Sequence, residues 1–468
     1  MSGGAGIGLA PGGAAALAAR RGRTKKRKRR KHMNIRESRD KGRVRIVSQR
    51  CLVVMLPVAA LLALQLAGAL PAQAAPGALD PTFGTKGKVT TDFGSGFDGV
   101  NAVAVQVDGK IVAAGATGAP DFALARYNTT GALDPTFGTG GKVTTDFGSV
   151  FDGVNAVAVQ VDGKIVAAGT GKGPEDTDFA LARYNTDGTL DTTFGSGGKV
   201  TTDFLPVSHD SDQAFALVVQ PDGKIVAGGI GVGRLNPAGG PGGWDFALAR
   251  YDTHGTLDPT FGTLGKVTTD FSNNLDWAFA LAQQADGKLV AAGFASVGSG
   301  QDGALARYNI DGTLDTTFGS GGKITTDLGT GSDIFRAVAS QTDGRILAAG
   351  SGLARYNSNG TLDTTFGTGG KATTGFTGFG MALQADGKIV TAGGVGGSGS
   401  NENFALARYT TSGTLDSSFG TNGTASTDFA RRNDHANGMA LQAGKIVAAG
   451  YATTASGQDF ALARYLAA

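Results

Sequence analysis

The side chains best suited to chemistry in this sequence are carboxylates that recur beside cations. In the stretch ALARYNTDGTLDTTFGSGGKVTTDF, residues 180–204, Asp187, Asp191 and Asp203 stand among small polar residues with Arg183 and Lys199 close by. Carboxylates so spaced could coordinate a divalent cation or share acid–base work. Counting favours a structural use instead. Leu-Asp followed by x-x-Phe-Gly occurs at Asp80, Asp134, Asp191, Asp258, Asp315, Asp363 and Asp416, and Leu-Ala-Arg-Tyr carries Arg126, Arg183, Arg250, Arg307, Arg355, Arg408 and Arg464. A residue that occurs seven times serves something every unit needs. In FALAR, Phe179, Leu181 and Arg183 share one strand face, which sets a guanidinium beside apolar packing and demands an acidic or carbonyl partner. Asp191, eight residues on, is the expected partner; Asp134, and Arg250 with Asp258, occupy the equivalent places in other copies.

An EF-hand reading fails, because Arg183 takes the first loop position and Phe194 the twelfth. A second repeated pair in TDFGSGFD, Asp92 with Asp98 and again Asp146 with Asp152, keeps calcium open; otherwise no cofactor or metal is expected. His32, His209, His254 and His435 stand apart, and no H-E-x-x-H, G-x-S-x-G or Walker loop is present. The single cysteine, Cys51, lies in an apolar N-terminal segment, so the chain beyond that segment has neither disulfide nor thiolate chemistry.

That segment organises the N-terminus. Residues 1–32 form a basic extension, which the in-frame Met33 suggests is not part of the true chain. Residues 33–74 combine a charged run, the apolar stretch Cys51–Leu70 and the triplet Ala72-Gln73-Ala74, the ordered parts of a secretory signal. An uncleaved anchor is the competing reading, since 20 apolar residues could span a bilayer. Pro57, Gly68 and the small-x-small triplet favour cleavage, and Ala69 stands where a lipoprotein signal would carry cysteine. The expected product is secreted, with no stable membrane insertion. Residues 1–74 hold 16 Lys/Arg and 2 Asp/Glu, which leaves 26 basic and 37 acidic residues after them, a net −11 that disfavours nucleic acid as a partner.

From residue 75 to 468 the chain repeats. Each unit reads as four short strands, in the first copy NAVAVQ (101–106), KIVAAG (110–115), FALARY (122–127) and KVTTD (142–146), with Asp108-Gly109 as a two-residue hairpin signal. Hydrophobicity falls from first strand to fourth, as expected of wedge-shaped sheets whose inner strands are sandwiched. Seven such units predict an all-β, seven-bladed propeller of four-stranded antiparallel blades. The alternative is a solenoid, but the repeat region opens with a spare fourth strand at Lys88–Asp92 and ends on a third strand, FALARY (460–465), so an N-terminal strand completes the last blade. The unit G-x-L-D-x-x-F-G-x-x-G-K-V-T-T-D-F, A-x-x-x-Q-x-D-G-K-I-V-A-A-G, F-A-L-A-R-Y resembles the delta-60 repeat family, bacterial repeats of propeller type in secreted and surface proteins. The resemblance covers residues 78–466 and implies no activity, catalytic residue or cofactor.

If the repeat is scaffold, function belongs where it breaks. The loops from second to third strands and from blade to blade emerge on one face and vary in length; the Asp-Gly hairpins and LDxxFG loops on the other are uniform. The variable loops supply His209, Asp210, Asp212, Trp244 and Trp277 on consecutive blades, a pattern suited to a glycan, peptide or protein ligand. Seam packing is the plainer reading of both tryptophans. The expectation is a monomeric, non-enzymatic binding or structural module, more plausible than an enzyme; the alternative is a polysaccharide lyase or hydrolase built on His209 or His435. Mass spectrometry of culture supernatant should find a chain beginning near Ala75; recovery solely of the intact chain in membranes would refute export.

Overall fold

The computed structural model describes residues 74–468 apart from 95, 120, 149–151, 174–176, 206–210, 234–242, 272–273, 299, 330, 374 and 397–400. Within them 28 strands form seven antiparallel sheets of four, and no helix occurs among the described residues. Blade I consists of Gly99–Val105, Ile111–Ala116, Phe122–Tyr127 and Lys142–Thr145. The first strands of blades II to VII are Gly153–Val159, Gln213–Val219, Asp276–Gln283, Phe335–Ser340, Gly378–Leu383 and Asp434–Gln442. Each first strand packs against the next, and the seventh packs against the first. The ring is closed, which excludes the solenoid.

Closure uses the N-terminal segment. Lys88–Thr91 is the fourth strand of blade VII, with Lys88 opposite Ala463 and Thr91 opposite Phe460. Upstream, Leu79 bridges Tyr465, and Asp80 accepts hydrogen bonds from Arg464 Nε at 2.8 Å and Lys445 Nζ at 2.6 Å. The first residues of the repeat region thus supply both a strand and a counter-ion to the last blade.

The same ion pair recurs in every blade. Arg183 Nε donates to Asp191 Oδ2 at 2.7 Å, with both side chains almost wholly buried, and Lys164 Nζ lies 2.9 Å from the same oxygen. Arg126 pairs with Asp134 and Arg250 with Asp258 at 2.8 and 2.9 Å. The guanidinium also lies 4.5 Å from the centre of the Phe194 ring, and its Nη1 donates to the Thr253 carbonyl in the next blade at 2.6 Å. Burial pushes the Asp191 carboxyl up, but hydrogen bonds from Thr193 and Lys164 and the charge of Arg183 outweigh it and hold the group well below the usual carboxylate range. The site therefore stays an ion pair throughout neutral pH.

Burial corrects one expectation. Ile111–Ala116 and Phe122–Tyr127 are the most enclosed strands, whereas most of Gly99–Val105 is half-buried. The first strand is the inner edge of its sheet, so its open edge borders the propeller axis. The Asp-Gly hairpin also differs from the two-residue form. Gly109 N donates to Gln106 O and Gln106 N to Lys110 O, enclosing three residues, with Gly109 at φ +82°. That is a type I turn followed by a left-handed glycine. Only blade VII, with Ala443-Gly444 between Gln442 and Lys445, has the two-residue loop.

Every first strand carries a β-bulge. In blade I Val100 faces Gly115 and Ala102 faces Ala114, so Asn101 is the extra residue. The bulge presses the first strand onto the second, where a Cβ on Gly115 would sit 1.8 Å from the Gly99 carbonyl oxygen. Gly169, Gly229, Gly293, Gly350, Gly393 and Gly450 hold the same place against the same wall. This explains the glycine that closes KIVAAG.

Gly229→Ala, whose Cβ would meet the Gln213 carbonyl at 1.8 Å, should lower the melting temperature markedly, while Gly96→Ala, with nothing within 4 Å, should leave it unchanged; equal melting would show that the bulge can relax freely. Removing residues 75–92 should cost on the order of several kcal/mol through lost ladder bonds and apolar burial. A truncated chain that melts like the intact one and stays monomeric would contradict the closure.

Candidate functional site at the channel mouth

The seven bulge residues face the propeller axis, and they break the symmetry of the ring. They are Asn101, Asn155, Phe215, Phe279, Arg336, Phe379 and Asn437, in blade order, and all are half-buried. They lie near the start of each first strand, hence toward the variable loops. Three asparagines fasten one side of the channel. Asn437 Nδ2 donates to the Val100 carbonyl and Asn101 Nδ2 to the Val154 carbonyl, both at 2.8 Å, and Asn155 Nδ2 reaches the Ala214 carbonyl at 2.9 Å. From blade III to blade VI the asparagine is missing, and the blade-to-blade ladder gives way to rings.

Those rings form a continuous arc. Trp277, two residues before Phe279, lies 6.2 Å edge-on from Trp244 and 6.3 Å from Phe215, with Phe279 and Phe294 at 5.9 and 5.8 Å. The Arg336 guanidinium is sandwiched between the rings of Phe279 at 4.7 Å and Phe379 at 4.5 Å. Phe379 meets His435 edge-on at 4.6 Å, and His435 stacks near Tyr451 at 6.1 Å. His435 Nδ1 lies 3.0 Å from Glu402 Oε1. Beside it, burial pushes the Asp434 carboxyl up to about 6, against the opposing effect of the Phe429 backbone N–H.

The arc leaves several buried nitrogens unpaired. Among the described residues, the buried side-chain nitrogens without a hydrogen-bond partner are Trp244 Nε1, Trp277 Nε1, Arg336 Nε and His435 Nε2. All four belong to the arc; the two indoles and the guanidinium are N–H donors, whereas His435 Nε2, with Nδ1 turned to the Glu402 carboxylate, is the acceptor nitrogen of the neutral imidazole. A buried donor left unmade costs about 1–3 kcal/mol, so such a cluster needs an acceptor from elsewhere.

The residues singled out from sequence fare differently. Trp244 and Trp277 come together, but as strand residues rather than loop residues: Trp244 opens the third strand of blade III and Trp277 is the second residue of the first strand of blade IV. Asp212 is buried and faces inward; its Oδ2 accepts from Phe204 N at 2.6 Å and its Oδ1 from Val232 N at 3.1 Å. Asp98, Asp152, Asp276 and Asp434 likewise accept a backbone N–H from the preceding blade-to-blade loop, so the role belongs to the repeat. His209 and Asp210 lie outside the described residues. The pairs Asp92/Asp98 and Asp146/Asp152 gain a third member in Asp459 and Asp121, and Asp178/Asp203/Asp212 and Asp245/Asp270/Asp276 match them, each triad within 4.8 Å. These acids sit at the variable-loop ends of four seams, from VII/I to III/IV, and most of them are buried.

Phe215, Phe279, Arg336 and Phe379 escaped sequence reasoning. Their signal lay in the first strands aligned on the small residue that follows, Ala or Gly, where the position before it reads Asn, Asn, Phe, Phe, Arg, Phe, Asn. On the opposite face, clefts open at the seams of blades III/IV and I/II, about 910 and 800 Å³, lined by the corresponding Gln-x-Asp-x-Lys hairpins. They recur with the repeat and single out no one place.

Comparison with known proteins agrees with this organisation. The family model described as "Domain of unknown function (DUF5122) beta-propeller" matches residues 106–137, 160–194, 220–261, 284–318, 341–366, 384–419 and 444–467. No curated protein matches the chain. Similar solved structures include virginiamycin B lyase from Staphylococcus aureus crystallised with quinupristin, 11% identical over 80% of this chain and 98% of that one, TM-score 0.48. Sqt1 from Chaetomium thermophilum is 12% identical over 80% and 96%, TM-score 0.42, and the Pan2 WD40 domain of Neurospora crassa 7% over 78% and 88%, TM-score 0.44. With one matched repeat in each blade of a ring that closes on itself, the chain is a β-propeller repeat protein.

Proposed function

We propose that the chain is an exported, non-enzymatic binding module whose ligand, a peptide, protein or glycan, seats on the aromatic arc at the channel mouth. Its finer place in this reading is among the delta-60 repeat proteins of bacterial surfaces and secretions. One observation carries the proposal: the bulge position, fixed as asparagine where it ties blades together, is given over to Phe215, Phe279, Arg336 and Phe379 along one side only. Scaffold alone has no use for that asymmetry. Aromatic side chains supply contact area at small entropic cost, and arginine supplies directed donors. The outer edges support a monomer, since most fourth strands are only four residues long and carry Lys and Thr, which blunts pairing with other chains.

A second reading has one observation in its favour. Glu402 and His435 form the oriented carboxylate–imidazole pair of a general base. Against it, Phe379 and Tyr451 pack on the imidazole and Nε2 is enclosed, so the free nitrogen has no route to a substrate. A polysaccharide lyase or hydrolase would need that nitrogen exposed.

Glycan and peptide arrays on the exported chain test the proposal. For any ligand retained, Trp277→Ala or Phe379→Ala should weaken binding by about 1–4 kcal/mol, while Val107→Ser on the opposite face leaves it intact. Retention insensitive to both arc substitutions would refute the site, and turnover of a polysaccharide lost with His435→Ala would favour the enzyme.

A further inference from the structure

Arginine is costly to bury, and this propeller neutralises it systematically. Arg126, Arg183, Arg250, Arg307, Arg355, Arg408 and Arg464 each hold an aspartate at 2.7 to 2.9 Å. Arg336 is the exception on the axis. Among the described residues no carboxylate pairs with it and no carbonyl accepts from it, and its Nε is buried without a partner. Burial also pulls its pKa down from the ordinary guanidinium value, the direction expected of a cation lacking its counter-ion.

Its surroundings leave one kind of bonding open. The Phe279 and Phe379 rings, at 4.7 and 4.5 Å, cover the guanidinium and satisfy the cation but not its N–H groups. Those donors lie in the guanidinium plane, as a fork matched to a planar anion with two oxygens. Trp244 Nε1 and Trp277 Nε1 add two more donors without acceptors on the same arc. The missing complement is a carboxylate.

The charge on the same face of the ring narrows its source. Residues after 74 carry a net −11, and carboxylate triads occupy the variable-loop ends at four blade seams. A polyuronate or nucleic acid would be repelled by that rim before reaching the axis. A chain with cationic side chains and a single terminal carboxylate would be drawn to it. Peptides carry both; neutral or acidic glycans lack the cations.

Building on the channel-mouth reading, we propose that the propeller captures the free C-terminus of a basic peptide segment, with Arg336 binding the terminal carboxylate. The last side chains rest on Trp277, Phe279 and Phe379, and lysines or arginines upstream meet the aspartate rim. Arg336 acts here as a specificity-determining residue for the end of a chain.

Two N-terminally labelled random hexapeptide pools, one with free C-termini and one amidated, test this on the immobilised mature chain. Retained sequences from the free-acid pool should be enriched in Lys and Arg upstream of an apolar last residue, and should bind at least tenfold more tightly than their amides. Arg336→Met should abolish the difference between acid and amide, and Arg336→Lys should keep part of it; an unchanged melting temperature in either variant separates the effect from misfolding. Equal binding of acids and amides, still lost with Trp277→Ala, would overturn the carboxylate assignment and leave the binding site standing. Retention of an oligouronate through Arg336 would replace the peptide with a glycan. No retention from the free-acid pool would overturn the inference by itself, whereas the broader reading falls only if glycans and proteins also fail to bind.

Discussion

A guanidinium buried at the end of each third strand is the constraint from which the propeller is built. It needs a carboxylate, a flat surface and a carbonyl, and these come from three places: the aspartate eight residues on, the phenylalanine three beyond it, and the loop of the following blade. For Arg183 they are Asp191, Phe194 and the Thr253 carbonyl. The first two fold the blade's outer half onto itself. The third orients the next blade. Leaving such a charge unpaired costs several-fold more than an exposed ion pair gains, so each blade has one strongly preferred relation to its successor. Repeated seven times, that relation leads to a closed ring, and Asp80 answers Arg464 where the two ends of the chain meet.

A second constraint works from the axis outward. The bulge in each first strand adds twist and turns one side chain toward the channel, and the glycine opposite it makes room for the displaced backbone. Because the bulge is enforced by backbone contact, the identity of the side chain it presents is free. Asparagine there adds a blade-to-blade hydrogen bond, as at Asn437, Asn101 and Asn155. Phenylalanine or arginine forgoes that bond for ring packing from blade to blade. The scaffold can therefore vary its channel without changing its blades.

The site that results joins opposites. Aromatic rings and unpaired donors line one side of the axis, while aspartate triads sit at the variable-loop ends of four seams, from VII/I to III/IV. The proposed ligand would bring oxygen to the centre and positive charge to the edge. The imidazole of His435, held by Glu402 and covered by rings, extends the arc.

Much of this was legible in the chain itself. Seven copies of LARY and LDxxFG set the number of blades, their spacing of eight paired Arg183 with Asp191, and a spare strand at Lys88 matched a missing one after Tyr465. These are short-range periodicities, and a repeat prints them in sequence because every unit must meet the same local demand. The glycine of KIVAAG was printed as plainly, but its reason lies across the sheet, in a carbonyl 1.8 Å from where a Cβ would stand. The arc lay further out of reach. Phe215, Phe279, Arg336 and Phe379 come from four blades, spread over more than 160 residues, and each alone looks like an ordinary strand residue. Only closing the ring places their bulges side by side around one axis, because proximity there is set by the rotation between blades and not by separation along the chain.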